Sequence, residues 1–208
     1  MRKSFPTRSS LRKGYLMKGT EAFQELLPLL GDEPVVHANG FICRESFNLK
    51  DRPANFYMIG SMGLASSIGL GVALCKPDRK VIVLDGDGNV LMALGTLAMI
   101  AAEAPKNLVH VVIDNEVYES TGKQRTLSNT VPLEQIAKSS GYREVARVDK
   151  KEDIKPAFEK MLNSQGPSFL LIKVEPCFDH KTGRVTHTPE EITERFMKSL
   201  HRPAAGGN

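Results

Sequence analysis

The chain has 208 residues, of which 41% are hydrophobic, and a formal net charge of +4, so it can bury one substantial core. Its basic residues are scattered without a long run of like charge, which disfavours a nucleic-acid-binding protein. The three isolated cysteines argue against a disulfide framework, a zinc site or a cysteine-bound cluster and favour a reducing, cytoplasmic setting, and no apolar stretch reaches the roughly 18 residues that cross a bilayer.

Residues 1–16 form a basic lead-in that contains no acidic residue. This segment lacks the apolar core of a secretory signal, and a flexible extension, or translation from Met17, fits its composition better than an organelle transit peptide. We therefore expect one domain over residues 17–208, which ends in a helix and is preceded by this lead-in.

Segments with helical spacing recur along residues 17–208. The first helix is predicted to have Thr20 as its N-cap and to end before Gly31. The last is predicted from a capping box, in which Thr188 is the N-cap, Pro189 takes the first helical position and Glu191 lies three residues after the cap. The predicted helices are TEAFQELLPLL, FICRESF, LASSIGLGVAL, VLMALGTLAMIAAEA, LEQIAKSSG, DIKPAFEKMLN and THTPEEITERFMKSL.

Short apolar runs alternate with these helices. Runs of Val, Ile and Leu without polar alternation indicate strands that are covered on both faces. The alternation predicts a three-layer α/β fold, with a mainly parallel sheet and helices on both faces, in which ligands bind beyond the carboxyl ends of the strands. The runs are PVVHA, a brief NFYMI, KVIVLD, NLVHVVID, YREVARV and SFLLIKV.

Polar residues follow two consecutive buried strands. The GDGN motif at 86–89 ends one strand, and Asp114 and Asn115 end the next. The glycines allow a close approach of the backbone to a ligand, and Asp87 between them offers a carboxylate. A helix that starts near Asn89 would direct its free N–H groups at the same place, which suits phosphate oxygens.

The length of the connection allows the two polar ends to meet. Gly88 and Asp114 are separated by 25 residues. A helix of about 13 residues and a strand of about six each span about 20 Å, so one crossover returns the chain to the same edge of the sheet. Asp87 and Asn115 would then lie about 5 Å apart on neighbouring strands. This separation suits two oxygen ligands of one Mg²⁺ ion, which would in turn anchor a diphosphate group.

Simpler interpretations and other phosphate motifs account for these residues less well. An Asp-Gly turn after a strand is common and is often structural, so the joint arrangement of both strand ends carries the prediction. A dinucleotide fingerprint would require Gly in place of Leu91. A Walker loop would require Gly in place of Val117 and Ser or Thr in place of Gln124. Neither nucleotide class is supported.

The GDG motif at 86–88 and the pair Asp114-Asn115 resemble the signature of thiamine diphosphate-binding enzymes, normally Gly-Asp-Gly followed by Asn-Asn. The resemblance covers nearly the whole chain. Through NGFICRESF, DRPANFYMIGSMGLASSIGLGVAL and NEVYESTGKQ the chain looks most similar to phosphonopyruvate decarboxylases and sulfopyruvate decarboxylase β subunits. Asp114 departs from the signature, and Glu116 and Glu119 stand where small residues are expected.

The resemblance implies thiamine diphosphate and Mg²⁺ as cofactors, bound by a diphosphate-binding (PP-type) domain. Mg²⁺ would be bound by Asp87, the side chain of Asn115 and the main-chain carbonyl of Val117. The carbonyl of Gly60 would accept a hydrogen bond from the aminopyrimidine, and Met62 would support the bent cofactor. The implied cofactor-binding set is Asn39, Gly40, Gly60, Ser61, Met62, Gly86, Asp87, Gly88, Asn89, Asn115, Val117 and Tyr118, with Ser120, Thr121 and Gly122 on the substrate side.

The implied reaction is the non-oxidative decarboxylation of an anionic 2-oxo acid, sulfopyruvate or phosphonopyruvate, with the cofactor as electron sink. In this family the glutamate that activates the cofactor belongs to a separate pyrimidine-binding domain. We therefore expect a partner α subunit to supply it, and no certain catalytic residue in this chain. The anionic end of the substrate would need cationic or N–H partners, for which the candidates are Lys123, Arg125, Arg44 and His37.

Three alternatives stay open at this point. The first is a carboligase subunit of the acetolactate synthase type. The second is the β subunit of a 2-oxoacid:ferredoxin oxidoreductase, which the isolated cysteines disfavour because such subunits typically accompany cysteine-bound clusters. The third is a non-catalytic subunit that binds the cofactor or regulates a partner.

Overall fold

The computed structural model describes residues 17–176 and 182–201. Nine strands are present in these ranges: β1 (Met17–Lys18), β2 (Val35–His37), β3 (Asn55–Tyr57), β4 (Val81–Gly86), β5 (Leu108–Asp114), β6 (Val117–Tyr118), β7 (Gln124–Arg125), β8 (Glu144–Val148) and β9 (Ser168–Glu175). Eight α-helices are described with them: α1 (Gly19–Leu26), α2 (Phe41–Lys50), α3 (Ala65–Cys75), α4 (Asp87–Met92), α5 (Gly95–Glu103), α6 (Leu133–Ser140), α7 (Ile154–Asn163) and α8 (Pro189–Leu200).

Seven strands form one parallel sheet. Its order is β3-β2-β4-β5-β9, and β8 and β1 both pair with the outer edge of β9. Every residue of β4 and β5 is buried, as expected for apolar runs covered on both faces. The predicted three-layer α/β architecture is therefore confirmed. β6 and β7 form a separate antiparallel hairpin beyond the end of β5.

The helices divide between the two faces of the sheet. α3, α5 and α6 contact one another in series on one face, and α1 contacts both α2 and α7 on the other. This division follows from right-handed crossovers, because the chain reverses its direction across the sheet after β3. The reversal lies between β2 and β4, and a switch of this kind opens a crevice at the carboxyl edge of the sheet.

The first predicted helix differs from the structure at both ends. The first helix begins at Gly19 and has Lys18, not Thr20, as its N-cap, because the Lys18 N–H donates to the carboxylate of Glu21 (2.8 Å). That helix ends at Leu26 and continues only as a 3₁₀ turn. The capping box of the last helix is confirmed, with Thr188 as N-cap and Glu191 as its reciprocal partner.

The segment predicted as one helix after the GDGN motif is two helices. α4 starts at Asp87, two residues before the predicted start, and the helical path breaks at Ala93 before α5 resumes it. Apolar positions continue across the break because both short helices bury one side against the core, through Val90 in α4 and Ile100 in α5. The hydrophobic pattern therefore did not indicate the break.

Some predictions lie outside the described ranges. The lead-in at 1–16 and Cys177 are among the residues that are not described. Cys43 and Cys75 are free thiols, and the reducing, cytoplasmic setting stays a prediction. Across the described ranges, no helix combines the length and the apolar character needed to cross a membrane.

Candidate functional site

A cleft opens at the carboxyl edge of the sheet, where β2, β4 and β5 lie side by side. Register pairs Gly86 at the end of β4 with Ile113 near the end of β5, so the loops that carry Asp87 and Asn115 are neighbours, as predicted. The lining residues are Asn39, Gly40, Phe41, Ile42, Met62, Gly86, Asp87, Gly88, Asn89, Ile113, Asn115, Val117, Tyr118, Glu119 and Ser120.

The predicted site residues fall into three places. All of the predicted cofactor-binding residues except Gly60 and Ser61 line the cleft, and so does Ser120 from the substrate side. Gly60 and Ser61 instead line an adjoining apolar groove between β3 and α8. Thr121 and Gly122 lie in the exposed turn of the β6–β7 hairpin and do not line the cleft.

The carboxylate of Asp87 is buried beneath two hydroxyl groups. Its Oδ2 accepts hydrogen bonds from Thr126 Oγ1 (2.5 Å) and Ser128 Oγ (3.1 Å). The pKa of Asp87 is raised to about 6, first by burial and then by the nearby Asp114 carboxylate, while the two hydroxyls oppose the rise. A divalent cation at this carboxylate would stabilise its charged form. Sequence reasoning missed both hydroxyl residues because they lie some 40 positions away in a loop.

Asp114, the residue that departs from the signature, is neutralised by a lysine on β9, the neighbouring strand of the sheet. Asp114 and Lys173 are directly paired in the register of β5 and β9, and Lys173 Nζ lies 2.9 Å from Asp114 Oδ2. Both side chains are almost completely buried. Lys173 also contacts the Glu116 carboxylate at 2.7 Å. The only signal in the sequence is a lone lysine in the otherwise apolar run SFLLIKV, and this signal does not identify Asp114 as its partner.

The loop after β5 is held by side-chain contacts rather than by regular structure. Asn115 Oδ1 accepts from the Val117 N–H (3.1 Å), and Asn115 Nδ2 donates to Glu119 (3.2 Å). Glu119 in turn forms an ion pair with Lys123 (3.0 Å). Glu116 adopts a left-handed backbone conformation with φ of 61°. The two unexpected acidic residues thus fix the loop, Glu116 through Lys173 and Glu119 through Asn115.

Gly88 allows the side chains above it to approach the first turn of α4. A Cβ atom at this position would lie 2.5 Å from Tyr118 Cε1 and 3.2 Å from Met62 Cε. A Cβ contact of 2.5 Å essentially never occurs in real proteins, so any larger residue would displace the ring of Tyr118. The glycine therefore brings three predicted site residues into one wall of the cleft.

The turn after β3 is attached to α4 by Asn89. Ser61 and Gly63 have positive φ angles of 54° and 94°, and the Gly63 N–H donates to Asn89 Oδ1 (2.8 Å). A Cβ atom on Gly63 would lie 3.3 Å from the Cβ of Ala93, so the turn packs tightly against the end of α4. Asn89 thus uses its side chain to position the turn that carries Met62, a role that sequence reasoning did not assign.

The chemistry of the cleft fits a diphosphate and a hard divalent cation. Asn39 Oδ1 is buried and has no hydrogen-bond partner within the described ranges. The first turn of α4 presents backbone N–H groups without intrahelical partners, which suit phosphate oxygens. No group of three His, Cys, Asp or Glu side chains able to hold a metal occurs in the described part of the chain. A cation here would therefore use amide and main-chain oxygens beside Asp87, as magnesium sites commonly do.

One candidate for the anionic end of the substrate is excluded. His37 is fully buried within β2, its Nε2 lies 2.7 Å from Ser46 Oγ and its Nδ1 lies 3.3 Å from the carbonyl oxygen of Phe56. Burial lowers the pKa of His37 to about 3, so the ring is neutral near pH 7. The prediction that His37 could bind an anion is wrong, since both ring nitrogens are occupied, one by Ser46 of α2 and the other by Phe56 of β3.

Comparison with known proteins agrees with this geometry. Residues 42–172 match the family described as "Thiamine pyrophosphate enzyme, C-terminal TPP binding domain". The match spans more than half of the chain, and the chain therefore belongs to this family. The resemblance that the GDG motif indicated is confirmed.

Three similar proteins illustrate the relationship. Phosphonopyruvate decarboxylase of Streptomyces viridochromogenes is 45% identical over 181 residues, which cover 87% of this chain but only 45% of the relative. Sulfopyruvate decarboxylase subunit beta of Methanothermobacter thermautotrophicus is 40% identical over 185 residues, which cover 89% of this chain and 96% of the relative. The solved structure of benzoylformate decarboxylase from Polynucleobacter necessarius superimposes with a TM-score of 0.66 at 14% identity, over 85% of this chain and 36% of that one, and shows the shared fold.

The chain thus spans less than half the length of the Streptomyces relative. It matches nearly the full length of the Methanothermobacter subunit. The same kind of domain therefore occurs in relatives of two different lengths.

Proposed function

We propose that this chain is the diphosphate-binding subunit of a thiamine diphosphate-dependent decarboxylase that acts on an anionic 2-oxo acid, sulfopyruvate or phosphonopyruvate. The observation that carries the proposal is the meeting of Asp87 and Asn115 at neighbouring strand ends, in one cleft with the first turn of α4. The names of two relatives at 45% and 40% identity support the reaction and the substrate class.

Asp87, the side chain of Asn115 and the main-chain carbonyl of Val117 would hold Mg²⁺. The hydroxyls of Thr126 and Ser128 both donate to Asp87 Oδ2, and no hydrogen bond to Oδ1 occurs within the described ranges, which leaves that oxygen for a cation. The Lys173 ammonium pairs with Asp114 and limits the negative charge beside the site. The metal-binding oxygens are therefore held in place before the cation arrives.

The remaining cleft residues would bind and orient the cofactor. The N–H groups of Gly88 and Asn89, with Asn39 and Gly40 from the end of β2, would bind the diphosphate. When bound, thiamine diphosphate supplies the electron sink that decarboxylation requires. The roles of Gly60, Ser61 and Met62 at the pyrimidine end, and of the hairpin residues Tyr118, Ser120, Thr121 and Gly122 on the substrate side, are part of the same proposal.

A partner α subunit of the pyrimidine-domain type would complete the active site by supplying the activating glutamate. The match to nearly all of a protein named as subunit beta supports a two-subunit arrangement. The exposed side chains of Ile59, Leu64 and Met92 beside the cleft are apolar surface that such a partner would cover. The catalytic centre would then lie across the interface between two chains.

The proposal is tested by expressing the chain alone and together with its cognate pyrimidine-domain chain. Each preparation receives thiamine diphosphate and Mg²⁺, and release of CO₂ and aldehyde is measured with sulfopyruvate, phosphonopyruvate and pyruvate. We expect turnover of an anionic substrate only by the complex. Turnover at an enzymatic rate by the chain alone would contradict the shared active site, and a complex that decarboxylates none of the three acids would contradict the decarboxylase.

Two rival functions have distinct outcomes in the same assay. Formation of acetolactate from pyruvate would identify a carboligase instead. The variant Asp87→Ala, compared with the exposed control Asp78→Ala, tests a purely structural subunit. Full activity of the Asp87→Ala complex would favour a structural role, whereas the proposal expects activity to be lost in Asp87→Ala and kept in the control.

A further inference from the structure

A second pocket adjoins the cofactor cleft, and Gly40 lines both. It lies at the carboxyl ends of β2 and β3, between the first part of α2 and the segment that precedes α8. Arg44, Arg184 and His187 contribute its polar wall, and Ile59 contributes apolar surface. A small molecule that occupies this pocket would therefore stand directly beside the cofactor cleft.

Two hydrogen bonds hold the walls of this pocket together. Thr182 Oγ1 donates to Glu45 Oε1 (2.7 Å), and Asn48 Nδ2 donates to the carbonyl oxygen of Gly183 (2.9 Å). Both bonds join α2 to the segment that immediately precedes Arg184. The backbone just before Arg184 is thus attached to α2, so that Arg44 and Arg184 line one pocket although they are 140 residues apart in sequence.

The two arginines differ from most others in the described ranges because neither is neutralised there. Arg52, Arg79, Arg147 and Arg195 are all held by hydrogen bonds or ion pairs to protein oxygens. The half-buried Arg44 has only the ring of Phe41 beneath it, with 5.4 Å between Cζ and the ring centroid. The exposed Arg184 has neither an ion pair nor a hydrogen bond to another residue of the described ranges. Two guanidinium groups that line one pocket and have no protein anion within the described ranges would suit an anionic ligand.

His187 does not supply a third free cation. Its Nε2 lies 3.2 Å from Asp51 and its Nδ1 lies 3.8 Å from Glu191, so its ring is directed at carboxylates of this chain. The net excess of positive charge in the pocket therefore comes from the two guanidinium groups. A planar guanidinium donates two parallel hydrogen bonds to a tetrahedral oxoanion, which favours phosphonate and sulfonate over a neutral group.

We propose that Arg44 and Arg184 bind the terminal sulfonate or phosphonate group of the substrate and so select anionic 2-oxo acids over pyruvate. This inference rests on the proposed function and specifies its substrate-binding site. The 2-oxo acid portion of the molecule would extend past Gly40 into the cleft that holds the cofactor. Arg184 belongs to this site solely because of the fold, since no local motif marks it.

The structure separates Arg44 from the other cationic candidates that the sequence indicated. Lys123 is engaged by Glu119 at 3.0 Å. Arg125 lies on the exposed strand β7 and lines neither the cleft nor the second pocket. His37 is neutral and enclosed in the sheet. Of these four candidates, only Arg44 both lines one of the two pockets and has no ion pair within the described ranges.

The test compares Arg44→Met, Arg184→Met and the double variant with Arg143→Met. Methionine keeps much of the side-chain length and removes the charge. Arg143 is a suitable control because it lies just before β8, at the amino edge of the sheet, where its side chain bonds only Gln165 (3.2 Å) among the described residues. Each variant is prepared as the full chain in complex with its pyrimidine-domain partner.

The first measurement is the calorimetric affinity for sulfoacetate, phosphonoacetate and acetate. The second is kcat/KM for sulfopyruvate, phosphonopyruvate and pyruvate. We expect each single variant to weaken binding of the sulfonate and phosphonate probes by about 10- to 100-fold, the loss expected for one charged hydrogen-bonding group. The loss in kcat/KM should appear mainly in KM, pyruvate should change less than about threefold, and Arg→Lys variants should recover part of the loss.

Several results would overturn the inference. Equal losses with pyruvate and with the anionic acids, or weaker co-purification of the partner, would indicate a structural or interface role. Unchanged values for both single variants and the double variant would show that the pocket does not meet the substrate.

Failure of the inference can be told apart from failure of the proposed function. A wild-type complex that decarboxylates anionic acids while the variants match it would overturn the pocket alone. A wild-type complex that binds sulfoacetate through Arg44 and Arg184 but decarboxylates nothing would support the pocket and overturn the decarboxylase.

Discussion

The loops after β4 and β5 both line one cleft, yet their conformations have different origins. The loop after β4 is set locally, because Gly86 and Gly88 flank Asp87 and α4 begins at once. The loop after β5 contains little regular structure and is held by the contacts of Asp114 and Glu116 with Lys173, which lies on another strand. A short motif can therefore specify one half of a binding site while a long-range ion pair specifies the other.

The variant Lys173→Met should have the largest effect on stability. It would leave the Asp114 carboxylate buried without its counter-ion, and removing one partner of a buried ion pair destabilises by about 3–5 kcal/mol. The free energy of unfolding, measured in urea, checks this value. The double variant Asp114→Asn/Lys173→Met removes both charges together and should recover most of the loss. A Lys173→Met protein as stable as the wild type would show that the long-range pair does not hold the loop.

The variant Gly88→Ala should have an intermediate effect that acts on the locally specified loop. The new methyl group would lie 2.5 Å from the ring of Tyr118, and overpacking of this kind costs about 1–3 kcal/mol. Gly71→Ala in α3 is the matched control, because a Cβ atom there meets nothing within 4 Å. That control should be neutral or stabilising by up to about 1 kcal/mol.

Thermal unfolding of both glycine variants provides the measurement. Adding Tyr118→Ala to Gly88→Ala should relieve the clash, so the two changes should be less than additive. Equal melting temperatures for Gly88→Ala and Gly71→Ala would contradict the close packing of Tyr118 on α4.

Metal binding at the loop after β4 should depend on pH, because the pKa of Asp87 is raised to about 6. Without metal, the folded chain holds this proton more tightly than the unfolded chain does. The group's contribution to stability is therefore present below about pH 4 and is lost as the pH rises through about 6. Mg²⁺ binds the charged form, so its affinity should fall about tenfold per unit of pH below 6.

The Mg²⁺-dependent rise in melting temperature between pH 5 and pH 8 tests this expectation. Thr126→Val removes a hydrogen bond that favours the charged carboxylate, so the midpoint of the profile should move to higher pH. A flat profile in both proteins would show that protonation of Asp87 does not compete with the metal.

The sequence was sufficient for those features that follow from neighbouring residues. The alternation of buried strands and helices predicted the parallel sheet, and the distance from Gly88 to Asp114 predicted that β4 and β5 are neighbours. The sequence was not sufficient for features made by distant contacts. Thr126 and Ser128 reach the site only through the fold, since nothing in their local sequence indicates a partner. Lys173 is conspicuous as a lone lysine in an apolar strand, but only the register of β5 and β9 identifies Asp114 as its partner.

Two further differences between the predictions and the structure also have causes that the local sequence does not show. The break at Ala93 lies within an unbroken apolar pattern, because each of the short helices buries its own side. The residue type of His37 alone makes it a candidate anion ligand. The structure instead places it within β2, where both ring nitrogens are bonded. Residue type alone cannot distinguish a buried histidine from a ligand-binding one, because that distinction depends on which neighbours enclose the ring.

Calorimetric titration of thiamine diphosphate into the chain and its pyrimidine-domain partner, with and without Mg²⁺, tests whether Asp87 anchors the cofactor through the metal. We expect binding that requires Mg²⁺. Asp87→Ala should lower the affinity for thiamine diphosphate at least about 100-fold, and Asp78→Ala should leave it unchanged. Binding that is independent of Mg²⁺ and of Asp87, or no binding by the wild-type complex, would contradict this expectation.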